Sequence, residues 1–116
     1  GWLGHPQYRP FDDRTVAYCH EGPHDLIDAR MWFIDEDGAN LRCGKVHDEG
    51  ESCTHEFWVP DGSAMVYVSL QHDQPGSPRR VCRLDPVTLQ STLLTTMPPC
   101  SPAFRCHPSA ASSCWR

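Results

Sequence analysis

The sequence repeats itself once, and the two copies lie fifty residues apart with no gap between the matching segments. Three pairs of segments share this offset: 5–10 with 55–60, 15–18 with 65–68, and 30–35 with 80–85. A period of about 40–50 residues that contains several short strands is typical of one blade of a β-propeller. The repeat therefore predicts an all-β fold, a β-propeller fragment of about two four-stranded antiparallel blades.

Alternation of apolar and polar residues predicts where the strands of each blade lie. We expect blade one to cover residues 1–50 and blade two to cover residues 51–99. The expected strands are 5–9, 14–20, 30–35 and 39–46 in blade one, and 53–59, 64–70, 79–84 and 88–95 in blade two. A closed propeller takes about four to eight blades, so we expect this chain to be a truncated internal fragment of a larger one.

The charge and the apolar pattern of the chain argue against two classes of partner. The formal net charge is -5 at pH 7, whereas a protein that binds nucleic acid through its phosphates needs a positive surface. No apolar run in the sequence reaches the roughly 18 residues that a membrane-spanning helix requires. We therefore expect no nucleic-acid partner and no membrane partner.

The chain contains seven cysteines, and no two of them have the Cys-x-x-Cys spacing. An odd number, with several in predicted strands, favours reduced thiols that pack as small apolar side chains. We therefore expect a cytoplasmic protein. A secreted disulfide scaffold and a zinc module of Cys and His residues are the alternatives, and the cysteine spacing disfavours both.

The repeat should begin a third time after Pro99, and a third His is expected near positions 102–105. The sequence reads CSPAFRCHP from Cys100 to Pro108 instead, and no alternating strand pattern follows. Residues 100–116 are rich in Ser, Ala, Cys, Pro and Arg, as out-of-frame translations of GC-rich DNA are. We hypothesise that residues 100–116 form an aberrant tail that is out of frame or disordered.

Two features of the repeat could carry chemistry: the His at the start of each copy and one loop rich in ionisable groups. His5 and His55 are equivalent, and equivalent positions of successive blades converge on the axis of a propeller. Imidazoles there could hold a metal or move protons near neutral pH. The alternative is that they only pack against neighbouring backbone groups.

The loop 21–30 includes Glu21 and His24. Loops on a rigid scaffold often carry binding sites, and a solvated surface loop is the alternative.

Two longer motifs surround these residues: CHEGPHDLIDARMW at 19–32 and CTHEFWVPDGS at 53–63. Both closely resemble the oligogalacturonate lyases, cytoplasmic bacterial enzymes of pectin breakdown that are built on a seven-bladed β-propeller. The resemblance runs from about Gly4 to Ser101, which is most of the chain. It implies β-elimination of short galacturonate oligomers, with oligogalacturonate as the small acidic partner and a 4,5-unsaturated product.

The resemblance also implies roles for individual residues. In the family the base is the His of the Thr-His-Glu-Phe-Trp motif, which is His55 here, and it removes the proton alpha to the uronate carboxylate. Manganese acts in the family as a Lewis acid on that carboxylate. The resemblance implies that Arg30 binds a substrate carboxylate through two parallel hydrogen bonds. It also implies that His24 contacts the substrate.

The manganese ligands of the family do not match this chain. The first is a His that follows Cys-Ser at the start of the next blade, whereas Pro102 follows Ser101 here. His107 stands in a different context, and the remaining ligands, a Gln and two His, belong to a later blade. We therefore expect this fragment to bind no manganese and to be inactive alone. A non-enzymatic β-propeller binding module is the alternative function.

Overall fold

The computed structural model describes residues 1–98 and folds them into eight β-strands without a helix. The strands are β1 (Trp2–Tyr8), β2 (Thr15–Glu21), β3 (Met31–Asp35), β4 (Arg42–Cys43), β5 (Glu51–Trp58), β6 (Met65–Gln71), β7 (Arg79–Leu84) and β8 (Ser91–Met97). Strands β1 to β4 form one sheet in that order, and β5 to β8 form a second. All neighbouring strands are antiparallel, which confirms the predicted all-β class.

The fourth strand of the first sheet is much shorter than the strand predicted at 39–46. It pairs with β3 only at Arg42 and Cys43. Asn40 has a φ of 54°, and its side chain donates a hydrogen bond of 2.6 Å to Asp35 Oδ2. This left-handed residue interrupts the extended backbone, and the pairing with β3 begins after it, at Arg42. The other strands end within three residues of their predicted limits.

The main core lies between the two sheets and draws on both of them. Its buried residues are Ala17, Met31, Phe33, Cys53, Trp58, Met65, Tyr67, Cys82 and Leu84. The rings of Phe33 and Trp58 lie 5.6 Å apart across the interface. Burial of a large apolar side chain contributes about 1.5–3 kcal/mol, so this shared core holds the sheets together. Cys53 and Cys82 pack in it as small apolar side chains.

Polar contacts between β1 and β5 bring the first strands of the two sheets together. Gln7 Nε2 donates a hydrogen bond to the carbonyl of Glu56 at 3.0 Å. Trp58 Nε1 in turn donates to the carbonyl of Gln7 at 3.1 Å. The first strands of the two repeats are therefore neighbours, as the innermost strands of adjacent propeller blades are.

The tail predicted at 100–116 and the third His expected near 102–105 lie outside the residues that the structure describes. Within residues 1–98, the structure contains no helix long and apolar enough to pass through a lipid bilayer.

Candidate active site

His5 and His55 share an unusual backbone conformation as well as a position in the repeat. Their φ angles are 50° and 53°, in the left-handed region that few residues other than glycine adopt. Each lies at a β-bulge, where the register of β1 with β2, or of β5 with β6, shifts. Strained positions of this kind are concentrated at functional sites, so both bulges mark a place where a site can form.

The bulge at His55 reverses which side of β5 faces the interior. Cys53 is buried before the bulge and Trp58 is buried after it, although their numbers have opposite parity. One extra residue shifts the alternation of a strand by one position. Glu56 consequently turns inward, where its side chain is only 4% exposed. His55 remains exposed.

Glu56 forms a bidentate ion pair with Arg30, which lies in the loop just before β3. Arg30 Nη2 lies 2.8 Å from Glu56 Oε1, and Arg30 Nε lies 3.1 Å from Glu56 Oε2. The thiol of Cys19 donates another hydrogen bond to Glu56 Oε1 at 2.9 Å. Arg30 Nη2 also donates to Glu21 Oε1 at 3.3 Å. The arginine predicted to bind substrate is thus held by one carboxylate from each sheet.

The ion pair sets the charge of both partners. Burial alone would raise the pKa of Glu56, but hydrogen bonds from Arg30 and Cys19 outweigh it and lower that pKa below its ordinary value. Burial would likewise lower the pKa of Arg30, and the Glu56 carboxylate raises it instead. Both groups therefore stay charged at neutral pH. Burial and Glu56 raise the pKa of the Cys19 thiol, so Cys19 remains a hydrogen-bond donor.

The charges of Glu56 and Arg30 both affect the pKa of His55. Partial burial lowers the pKa of His55, the Glu56 carboxylate raises it, and Arg79 and Arg30 lower it, with a net decrease from the ordinary value. The imidazole is therefore mainly neutral at pH 7, and the neutral ring is the form that accepts a proton. Arg79, at the start of β7, is a cation that the sequence did not indicate.

His47 fixes the backbone of the loop 22–30, which follows β2 and carries Arg30. His47 Nε2 accepts a hydrogen bond from the Arg30 amide at 3.2 Å, and His47 Nδ1 lies 3.1 Å from the carbonyl oxygen of Ile27. A neutral ring that accepts at Nε2 donates at Nδ1, so one tautomer makes both contacts. Burial lowers the pKa of His47, which favours that neutral tautomer.

Replacing His47 by Leu should loosen the loop. The Arg30 amide and the Ile27 carbonyl would each lose a partner, and an unsatisfied backbone group costs about 1–3 kcal/mol. We expect the Arg30 amide to exchange its hydrogen about tenfold faster, measured by NMR on the 116-residue chain. The surface variant Asp13→Asn should leave the rate unchanged. The same rate in both variants would show that His47 does not hold the loop.

His24 and Arg30 line the same pocket between the sheets, which has a volume of about 200 Å³. The His24 ring stacks on His72, in the turn after β6, with ring centroids 3.8 Å apart. The structure thus brings two of the three predicted site residues into one pocket. His55 lies outside that lining and is connected to Arg30 through the neighbouring Glu56.

The described residues offer no place for the manganese that the resemblance implies. Within residues 1–98, no group of three or more His, Cys, Asp or Glu side chains is arranged to hold a metal ion. The histidines near Arg30 instead contact carbonyl, amide and ring partners. Residues 1–98 by themselves therefore do not form a complete manganese site.

Comparison with known families decides which proteins these features belong to. The family model described as oligogalacturonate lyase matches residues 1–109. The chain belongs to the oligogalacturonate lyase family. An oligogalacturonide lyase of Pectobacterium atrosepticum is 68% identical over 100 residues, and an oligogalacturonate lyase of Dickeya dadantii is 67% identical over 101 residues. Each alignment covers 86% of this chain and 25% of the relative, so the chain spans about a quarter of these lyases.

Two solved structures of oligogalacturonate lyases share the fold. One, in complex with manganese, matches with a TM-score of 0.79 at 66% identity. The other, from Vibrio parahaemolyticus, matches with a TM-score of 0.77 at 62% identity. Each match covers 86% of this chain and 26% of the solved chain. The two sheets are therefore blades of the lyase β-propeller, which confirms the fold that the repeat predicted.

Proposed function

We propose that this segment carries the proton-abstracting part of a site that cleaves short galacturonate oligomers by β-elimination. The arrangement of His55, Glu56 and Arg30 supports this most strongly. It sets an exposed imidazole of lowered pKa next in sequence to Glu56, which is one of the two carboxylates that fix the Arg30 guanidinium. The curated relatives are named for oligogalacturonate or oligogalacturonide, and this acidic sugar oligomer is the substrate that we propose.

In this proposal His55 is the base. A base removes the proton alpha to the uronate carboxylate, and the electrons of that C–H bond form the new double bond. The bond between the β carbon and the glycosidic oxygen then breaks, and the leaving oxygen takes up a proton. A neutral imidazole suits the first step, and the bulge at His55 keeps the ring exposed to a ligand.

Arg30 in this proposal binds a substrate carboxylate. A guanidinium has five N–H donors, and the hydrogen bonds of Arg30 within residues 1–98 use Nε and Nη2. The two N–H groups of Nη1 can then meet a carboxylate, and a cation paired with that carboxylate makes the alpha proton more acidic. Glu56 and Glu21 hold the guanidinium plane in one orientation for this contact.

His24 in this proposal is a second substrate contact. Its ring is stacked on His72, and it lines the pocket that Arg30 also lines. The stack restricts the ring to one orientation, in which a ring nitrogen can hydrogen-bond a sugar hydroxyl.

Manganese belongs to the proposed whole enzyme and to another part of its chain. One solved relative holds manganese, and we propose that the whole enzyme uses it as well. Residues 1–98 contain no group of three or more side chains arranged to hold the ion, and we propose that its ligands lie elsewhere in the propeller.

We also propose a cytoplasmic location. The four cysteines within the described residues, Cys19, Cys43, Cys53 and Cys82, are free thiols. Proteins in reducing compartments keep their cysteines in this form.

A full-length chimera tests the proposed function. In it, residues 1–98 replace the matching quarter of the Dickeya dadantii lyase, an exchange that 67% identity makes conservative. We expect the chimera, supplied with manganese, to convert trigalacturonate into a product with the ultraviolet absorbance of unsaturated uronates. A folded chimera that produces no such absorbance would contradict the proposal.

The isolated 116-residue chain should be inactive in the same assay. It includes the proposed base and guanidinium, but its residues 1–98 hold no cluster for a metal ion. With manganese added, we expect no absorbance gain above that of buffer under conditions where the chimera turns over. Turnover by the isolated chain would show that the assignment of the metal site to another part of the enzyme is wrong.

A further inference from the structure

The loops that join the second and third strands of the two blades meet on one side of the chain. They are residues 22–30 in blade one and 72–78 in blade two, and the repeat makes them equivalent. His24 of the first loop stacks on His72 of the second, with ring centroids 3.8 Å apart. Residues that border the second loop therefore lie beside the site proposed around the first.

Arg79 directly follows the second loop and faces away from its neighbour Arg80. Nη2 of Arg80 lies 3.5 Å from Oε2 of the buried Glu51. Successive residues of a strand face opposite sides of the sheet. Arg79 accordingly lines a different space, a pocket of about 290 Å³ to which Leu70 and His72 also contribute.

The pocket of Arg79 shares a wall with the pocket assigned to the substrate. Leu70 and His72 line both of them. Arg79 also acts on the proposed base, because its charge, besides burial, lowers the pKa of His55. Arg79 is therefore next to the substrate pocket and within electrostatic range of the base.

The guanidinium of Arg79 has no carboxylate partner among residues 1–98. Arg30 and Arg80 are each paired with a glutamate, whereas no ion pair within that range includes Arg79. No Asp or Glu side chain of the described residues lines its pocket, and residues 99–116 contain neither residue type. An arginine is always charged in proteins, so this positive charge is available to a ligand.

We propose that Arg79 binds the carboxylate of a galacturonate unit next to the unit that reacts. This inference rests on the proposed function of the segment. Oligogalacturonate carries one carboxylate on every sugar, and Arg30 is assigned to that of the reacting unit. A guanidinium binds a carboxylate through two parallel hydrogen bonds, and the partly exposed Arg79 can offer them to the next carboxylate along the oligomer.

The Arg79→Gln variant of the chimera tests this assignment. The assay is run at about pH 8, where an imidazole is neutral, so that loss of the Arg79 charge leaves the base deprotonated. For trigalacturonate we expect KM to rise about tenfold, equivalent to ~1.4 kcal/mol, with kcat unchanged, since binding of a non-reacting sugar is lost. For a trimer methyl-esterified on every sugar except the reacting one, KM of variant and parent should agree within about twofold, because the ester has no charge for Arg79 to bind.

Arg83→Gln is the matched control, because it removes the same charge from the other end of β7, where Arg83 lies near the carboxylates of Asp61 and Asp85. It should leave both KM values unchanged. Arg79→Lys keeps the charge but cannot donate the two parallel hydrogen bonds, so its KM for trigalacturonate should lie between those of the parent and Arg79→Gln.

An equal rise in KM on the two substrates, no rise on trigalacturonate, or an equal rise in Arg83→Gln would overturn the assignment of Arg79. If the parent chimera fails to turn over trigalacturonate at all, the proposed function is wrong and the Arg79 assignment falls with it. Parent turnover therefore separates the two failures.

Discussion

The His55→Asn variant of the chimera should lose about a thousandfold in kcat with trigalacturonate, because a positioned general base contributes roughly 10²–10⁴. Asn accepts the left-handed backbone that His55 adopts, with φ of 53°, so the bulge and the inward position of Glu56 should persist. The His55→Ala variant should lose at least as much activity, with added backbone strain. The rate is read from the ultraviolet absorbance of the unsaturated product.

The manganese content of the His55→Asn chimera should equal that of the parent in elemental analysis. In the proposed enzyme the manganese ligands lie in another part of the chain, so a change at His55 removes no ligand. Tyr8→Phe, on β1, should keep the parent rate. A His55→Asn chimera that turned over at the parent rate would show that His55 is not the base.

The Glu56→Gln variant of the 116-residue chain should lose about 3 kcal/mol of unfolding free energy, because Arg30 loses its bidentate partner and keeps only Glu21. This loss is at the lower end of the cost of breaking a buried ion pair, about 3–5 kcal/mol. The Glu56 side chain is 4% exposed and that of Arg30 is 20% exposed, so solvent screens the pair only weakly. Urea unfolding measures the change. The exposed control Glu36→Gln should lose less than about 0.5 kcal/mol, and equal losses in the two variants would contradict a structural role for the pair.

The same ion pair should make stability depend on pH. The pKa of Glu56 is lower in the folded chain than its ordinary value of 4.5. Its contribution is therefore complete above that ordinary value and is lost as the pH falls through the lowered folded pKa. The parent should lose stability more steeply than Glu56→Gln between about pH 5 and about pH 3. Identical slopes in urea unfolding would show that Glu56 is not stabilised as a carboxylate.

The bulge at His55 separates what the sequence could predict from what it could not. The repeat placed His5 and His55 at equivalent strand positions, and the alternation placed most strands correctly. Regular alternation through β5 would leave Glu56 on the outer face, opposite to Cys53. No residue type in the motif predicts the extra residue of the bulge, because the left-handed conformation of His55 is selected by tertiary packing. The inward Glu56 therefore could not be predicted.

The partners of Arg30 could not be predicted from the sequence for a different reason. Its motif indicated a substrate role, but its carboxylate partner Glu56 lies 26 residues away on the other blade. His47, which accepts its amide hydrogen, lies 17 residues away. Contacts at these separations depend on how the two blades dock, and the repeat offset predicts that the blades exist without predicting which side chains meet between them.

The pH dependence of kcat/KM in the chimera tests the assignment of His55 as a base in this charge environment most directly. The activity should rise with the deprotonation of His55 in the free enzyme, with a midpoint below the ordinary imidazole value of 6.5. Because the Glu56 carboxylate raises the pKa of His55, Glu56→Gln should move that midpoint to still lower pH. A midpoint above 6.5, or one that Glu56→Gln leaves in place, would contradict the assignment.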